Sequence, residues 1–96
     1  LKGQERAELN SVLTTLKNSY SMPIFLTGDF NTSYGNIMPG AYLAINSSYT
    51  KIIDSYSPQT DYIFGKTGSY TSKASGYFMS NKVLTDHNFV YADLAI

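Results

Sequence analysis

A chain of 96 residues fits one small domain and buries a smaller share of its surface than a full-sized enzyme domain does. Hydrophobic residues make up 43% and charged residues only 15%, with seven Lys plus Arg against seven Asp plus Glu, which argues against disorder and against a broad basic field for nucleic acid; any phosphate binding must come from a local site. There is no cysteine, which removes disulfides, thiolate metal ligands and a cysteine nucleophile, and no apolar run approaches the length of a membrane span.

From Lys2 to Asn18, the apolar residues Leu9, Val12, Leu13 and Leu16 fall at i, i+3, i+4 and i+7, one face of a helix. Gln4, Glu5, Arg6 and Glu8 form its polar face, with acidic groups near the end where the helix dipole favours them. Asn18, Ser19 and Met22-Pro23 end it. The run Ile24-Phe25-Leu26 is too short for a helix and uniformly apolar, as expected of a strand covered on both faces, and Gly28 closes it. Tyr34-Gly35-Asn36 reads as a turn, and Ala41 to Ile45 as a short helix whose start Pro39 and Gly40 blur. Tyr49 to Tyr56 is expected to be extended until Ser57-Pro58 breaks it. Asp61-Tyr62-Ile63-Phe64 is a further strand ended by Gly65. Tyr77-Phe78-Met79 and Phe89-Val90-Tyr91 give two more strands, with the loop Leu84 to Asn88 between them. A helix followed by strands with loop-borne polar residues describes a layered α/β or α+β unit, residues 1–96 forming one piece without repeat or linker.

Three loop positions carry residues suited to chemistry: Asp29 with Asn31, Asp61, and Asp86-His87. Each lies at an end of an apolar strand, where a rigid element aims the side chain and the loop leaves it open. His87 is the only histidine. With Asp61 orienting its imidazole it suits a general base, and Asp86 offers a hard oxygen of the kind Mg²⁺ or Mn²⁺ prefers. Taken singly, Asp29 and Asn31 also read as an Asx turn, Asp61 as a strand-edge cap, and Asp86-His87 as solvated loop.

The order of "GDFN" at Gly28 to Asn31, "TDYIF" at Thr60 to Phe64 and "TDH" at Thr85 to His87 resembles the C-terminal motifs of the endonuclease/exonuclease/phosphatase superfamily, the fold of deoxyribonuclease I. The helix with Gln4, Arg6 and Leu13 leading into Pro23-Ile24-Phe25-Leu26 is similar to the segment before those motifs, so the resemblance spans nearly the whole chain. It implies a four-layer sandwich with a helix layer on a mostly antiparallel sheet, at least about twice the size of this chain. It also implies that Asp29 orients or deprotonates the attacking water, that Asn31 holds Asp29 and a phosphate oxygen, that Asp61 pairs with His87, that His87 contacts the scissile phosphate, and that Asp86 sits at the divalent metal. Thr85 stands where Ser is commoner, and Thr60 where an apolar residue is commoner, a position expected to stay clear of the chemistry. The family's early Asn, main metal-binding Glu and second His have no counterpart here. Glu5 and Glu8 lie on the helix, outside the matching position. The expected identity is therefore the C-terminal half of a divalent-metal-dependent phosphoesterase domain, a reading with which the opening Leu1 agrees.

Such a half is expected to be inactive alone and to leave exposed the face its partner half would cover, inviting self-association into a homo-oligomer. Its substrate would be a phosphate ester of nucleic acid, phospholipid or sugar; the compartment stays open. A second reading is a non-catalytic binding module whose nine tyrosines, with many Ser and Asn, form a stacking surface. Tyr20, Tyr34, Tyr42, Tyr49, Tyr56 and Tyr70 all lie in or near the expected loops or turns.

Overall fold

A computed structural model of the chain describes residues 3–38, 40–80 and 85–96; Lys2, Pro39 and Leu84, which entered the expected boundaries above, lie outside them. Helix α1 runs over Gly3–Ser19, with Glu5 in its first turn and Lys17 in its last, each sign matched to the helix dipole. Its apolar stripe is narrower than expected. Leu13 is buried and Leu9 packs on the core beside it, whereas Val12 is 55% exposed, because the helix touches its neighbours along the Leu9–Leu13 line and Val12 falls beside it.

Strand β1 is Phe25–Asp29 and continues through Gly28 rather than stopping there. It is not covered on both faces: Thr27, Gly28 and Asp29 are exposed, since β1 is the edge of a three-stranded sheet ordered β1-β3-β2 and its C-terminal half runs out to the rim. The expected turn at Tyr34-Gly35-Asn36 is a single helical turn, α2 (Tyr34–Ile37), held down by the fully buried Ile37. The next helix, α3, occupies Leu43–Ser48, later than the expected Ala41 to Ile45. Its own N-cap, Tyr42, makes no side-chain cap bond; instead Asn10 of α1 accepts from the Ala44 backbone N–H at 3.1 Å, satisfying from a distance one of the amides a helix start leaves open.

Strand β2 (Tyr49–Asp54) and strand β3 (Asp61–Lys66) pair antiparallel, with an irregularity between Lys51 and Ile53. Between them the chain turns through residues 55–60, which include the cis Ser57–Pro58 bond and Tyr56 at φ 68°. Gly65 does not end β3. It pairs with Phe25 and Thr50, and the Tyr70 ring lies where its side chain would be, edge-on to Phe25 at 5.4 Å between centroids. The last two strands, β4 (Thr71–Phe78) and β5 (Phe89–Ala95), form a separate antiparallel ribbon. Both outrun the apolar triplets that marked them, because Thr71-Ser72-Lys73-Ala74-Ser75-Gly76 carries no hydrophobic signal and is strand through pairing alone; Met79 lies beyond β4.

The protein is thus a mixed α/β domain in which, among the described residues, every strand pairing is antiparallel. Alternation along β3 sends Tyr62 and Phe64 to one face, where they join Leu13, Phe30, Ile37, Tyr42, Ala44, Ile45 and Tyr49 in the core. Asp61 and Ile63 take the opposite face, and the ribbon lies against β2 and β3. The ribbon leaves Phe78, Phe89 and Tyr91 exposed, with Phe78 stacked on Tyr91 at 5.3 Å. Among the described residues no helix is long and apolar enough to cross a membrane.

The narrow α1 stripe separates two substitutions that the heptad pattern treats alike. Leu13→Ala is expected to cost about 2–5 kcal/mol of unfolding free energy and Val12→Ala no more than about 0.5 kcal/mol, measured by urea denaturation; equal losses would show that α1 packs through a broader face.

Candidate active site

The β1–β3 register sets Asp29 directly opposite Asp61, two like charges in a position that disfavours them. The ladder continues one step further, with Phe30 donating its N–H to the Thr60 carbonyl at 2.8 Å, so both carboxylates are fixed at the rim. Just beyond, Asn31 adopts φ 53°, a left-handed conformation that Asn tolerates better than most residues. Its backbone N–H donates to Asp29 Oδ1 at 2.7 Å. Asp29 and Asn31 therefore do form an Asx turn, which holds one carboxylate oxygen and leaves Oδ2 directed toward the histidine.

His87 arrives from the other sheet. Its Nδ1 lies 2.6 Å from Asp61 Oδ2 and 3.9 Å from Asp29 Oδ2, and its Nε2 lies 3.6 Å from Asp86 Oδ1. An ionised carboxylate only accepts, so the Asp61 bond places a proton on Nδ1. That bond, with the charge of Asp61 next, raises the pKa of His87 above the ordinary 6.5; burial opposes them, and the charges of Asp29 and Asp86 add smaller contributions in the same direction. The side chains of Asp61 and His87 are 20% and 33% exposed, and that of Asp86 is 82% exposed. Asp61 is thus the most protected of the group and Asp86 the most open to a solvated ion. Thr60, expected to stand clear, reaches into the pair: its Oγ1 is 3.4 Å from Asp61 Oδ2 and 3.5 Å from His87 Nδ1, because the residue before β3 sits over the strand end.

Two residues outside the expected set hold these loops together. Asn88, buried to 4% exposure, donates from Nδ2 to the carbonyls of Ser55 and Ser57 at 2.9 and 3.1 Å, and its Oδ1 accepts the Ser80 N–H at 2.8 Å. Ser55, fully buried, accepts through Oγ from the backbone N–H groups of Thr60 and Asp61 at 3.2 and 3.1 Å and donates to the Pro58 carbonyl. The sequence signal for Asn88 was faint but present, an amide wedged between the lone histidine and the apolar Phe89-Val90-Tyr91; Ser55 had none, being one of many serines in polar turns. Thr85 contributes a hydroxyl that accepts the His87 backbone N–H at 3.1 Å.

The carboxylates and the imidazole open onto a cleft of about 330 Å³ lined by Thr27, Asp29, Asp61, His87, Phe89 and Val90 among others, the size of a small ligand site. Asp29, Asp61 and His87 each bring one ligand-type atom within 4.8 Å of the others. That set can hold either a proton shared through the 2.6 Å bond or a cation, since the same Asp61 and His87 atoms serve both. Asp86 stands outside this set. Compared with protein-family models, with curated proteins and with solved structures, the chain matches none.

His87 is the chain's single histidine, so its ring protons give an unambiguous NMR titration. The midpoint is expected above 6.5 and should fall toward 6.5 in Asp61→Asn. Because folding favours the protonated ring, the pair's contribution to stability is complete below the unfolded value near 6.5 and fades as pH rises through the folded midpoint. Wild type should therefore lose stability relative to Asp61→Asn across that window, and a midpoint at or below 6.5 would contradict the arrangement.

Proposed function

We propose that this chain supplies the carboxylate–histidine half of a divalent-metal-dependent phosphoesterase site, hydrolysing a phosphodiester or phosphomonoester by activated water. The observation that carries this reading is the 2.6 Å bond between His87 Nδ1 and Asp61 Oδ2 at the mouth of the cleft, with the open carboxylate of Asp29 beside it. Asp29, anchored through Oδ1, keeps Oδ2 to accept a proton from a water molecule. The imidazole, its protonated form favoured by three neighbouring carboxylates, is suited to donate to a phosphoryl oxygen as negative charge builds there. In the displacement, the water oxygen forms a bond to phosphorus, the ester P–O bond breaks, the water proton passes to Asp29, and the departing alkoxide is protonated from solvent or from the imidazolium.

Mg²⁺ takes one or two carboxylates and completes its shell with water and phosphate oxygens, and Asp86, the most exposed acid of the group and outside the Asp29–Asp61–His87 cluster, would provide one such oxygen. When bound, Mg²⁺ or Mn²⁺ would neutralise charge on the phosphoryl group. One carboxylate is a sparse anchorage, in keeping with a site completed by the rest of a deoxyribonuclease I-like sandwich. In this reading the same completing layer covers the exposed Phe78, Phe89 and Tyr91, or a second copy of the chain does so in its absence.

The test is hydrolysis of bis(p-nitrophenyl) phosphate with Mg²⁺ or Mn²⁺, run on the 96-residue chain and on a polypeptide in which an upstream half carrying the family's Asn, Glu and His motifs is joined to it. The chain alone should show negligible turnover and the joined protein metal-dependent turnover, with His87→Ala lowering the latter by at least about 100-fold. An inactive joined protein would remove the phosphoesterase reading. Robust turnover by the isolated chain, abolished by His87→Ala, would remove the half-site part of it.

A further inference from the structure

We infer that Asn88 is the positioning residue of the Asp61–His87 pair: its buried carboxamide ties the loop that carries His87 to the turn that carries Asp61, and so sets the distance between them. The role rests on reading that pair as the functional one, but its test does not require turnover.

The two partners come from different sheets, Asp61 from the first residue of β3 and His87 from the approach to β5. Their own contact is partly open to water, which competes for each group. Something less exposed must fix the separation. Asn88 directly follows His87 in the chain, and its Nδ2 spends both donors on the Ser55 and Ser57 carbonyls. Ser55 in turn holds the backbone N–H of Asp61 through its hydroxyl, and its own N–H donates to the Asp61 carbonyl at 3.0 Å. The path from imidazole to carboxylate thus runs through one buried side chain and one buried turn residue, each link a hydrogen bond. Oδ1 of Asn88 fastens the third direction by accepting the Ser80 N–H two residues beyond β4.

Only a carboxamide of this length serves. Aspartate would oppose two carbonyl oxygens with a carboxylate, leucine would take the bond from three polar partners, the carbonyl of buried Ser55 among them, and glutamine would carry the carboxamide a methylene away from its place. An apolar residue, the natural choice at the start of a strand reading Phe-Val-Tyr, would bury more hydrophobic surface and lose the tie.

The experiment measures nuclear Overhauser contacts between the His87 ring protons and the Asp61 β-protons in the full chain at one pH, for wild type, Asn88→Ala, Asn88→Ser and Ile45→Val. Ile45 is buried in the core on α3, away from the site, and Ile45→Val supplies a loss of thermal stability without touching the clamp. The contacts should weaken several-fold in both Asn88 variants and persist in Ile45→Val at wild-type intensity. Undiminished contacts in a folded Asn88→Ala or Asn88→Ser protein would overturn the inference. So would the failure of both Asn88 variants to fold, since Asn88 would then be holding the domain together rather than the pair.

Discussion

Two carboxylates face each other across the last rung of the β1–β3 ladder, and the rest of the site is arranged around that repulsion. Asp29 and Asp61 occupy register partners, where like charges disfavour pairing, and neither can move away: Asp29 is tied through Oδ1 to the next turn and Asp61 through its backbone to Ser55. The imidazole of His87 relieves the opposition, binding one carboxylate closely and standing 3.9 Å from the other. The hydrogen bond to Asp61, and then that carboxylate's charge, raise the pKa of His87, with Asp29 adding a smaller part.

That relief depends on two sheets keeping a fixed relation, held by the hydrogen bonds of Asn88 and Ser55 together with the stack of Tyr56 on Tyr77 at 5.4 Å. The hydrophobic core sits on the other face of the larger sheet, where Phe30 packs against Tyr42, Tyr62 and Phe64 at 5.3–5.5 Å. Tyr62 links the core to the site side, its ring buried among those aromatics and its hydroxyl donating to the Thr32 carbonyl at 2.7 Å with the Gln59 carbonyl 3.1 Å away, so the loops after β1 and before β3 share one anchor. Burial raises the phenol's pKa, with the nearby carboxylates adding to the shift, and the hydroxyl stays a donor. On the ribbon side, Ser55 and Asn88 do the same work with hydrogen bonds. Apolar packing is indifferent to small slides, whereas a carboxamide with three partners is not; a site whose key contact is a 2.6 Å bond between sheets gains more from the second.

The parts of this arrangement that could be read from residues alone were those where one physical signal dominates. Helix α1 showed its period, β1 and β3 their short apolar runs Ile24-Phe25-Leu26 and Tyr62-Ile63-Phe64, and Asp29, Asp61 and His87 their positions beside apolar strands. What stayed hidden depended on partners distant in sequence. The start of α3 is set by Asn10, 34 residues away. The first half of β4 is strand only because β5 lies beside it, and Thr60 joins the Asp61–His87 pair only because the sheets bring residue 87 to residue 60. Asn88 and Ser55 belong to the same class, since a polar residue destined for burial looks, in a sequence, like one destined for water.

The scarcity of charge elsewhere sharpens what the site does. Of the seven acidic residues in the chain, three stand within 4 Å of the His87 ring nitrogens, so a molecule with no net charge carries a distinctly negative rim. One imidazolium leaves that rim anionic. Under the proposed reading, a phosphate ester approaching it meets repulsion that the described side chains do not fully offset, since Lys51, a basic side chain close to the β2–β3 turn, is engaged with Asp54 at 2.6 Å and lies over the Tyr34 ring. On that reading, electrostatics of this kind would favour a substrate that arrives with a divalent cation. With no basic field to draw polyanions in generally, a phosphate ester bound as proposed would be admitted by the chemistry of this rim alone.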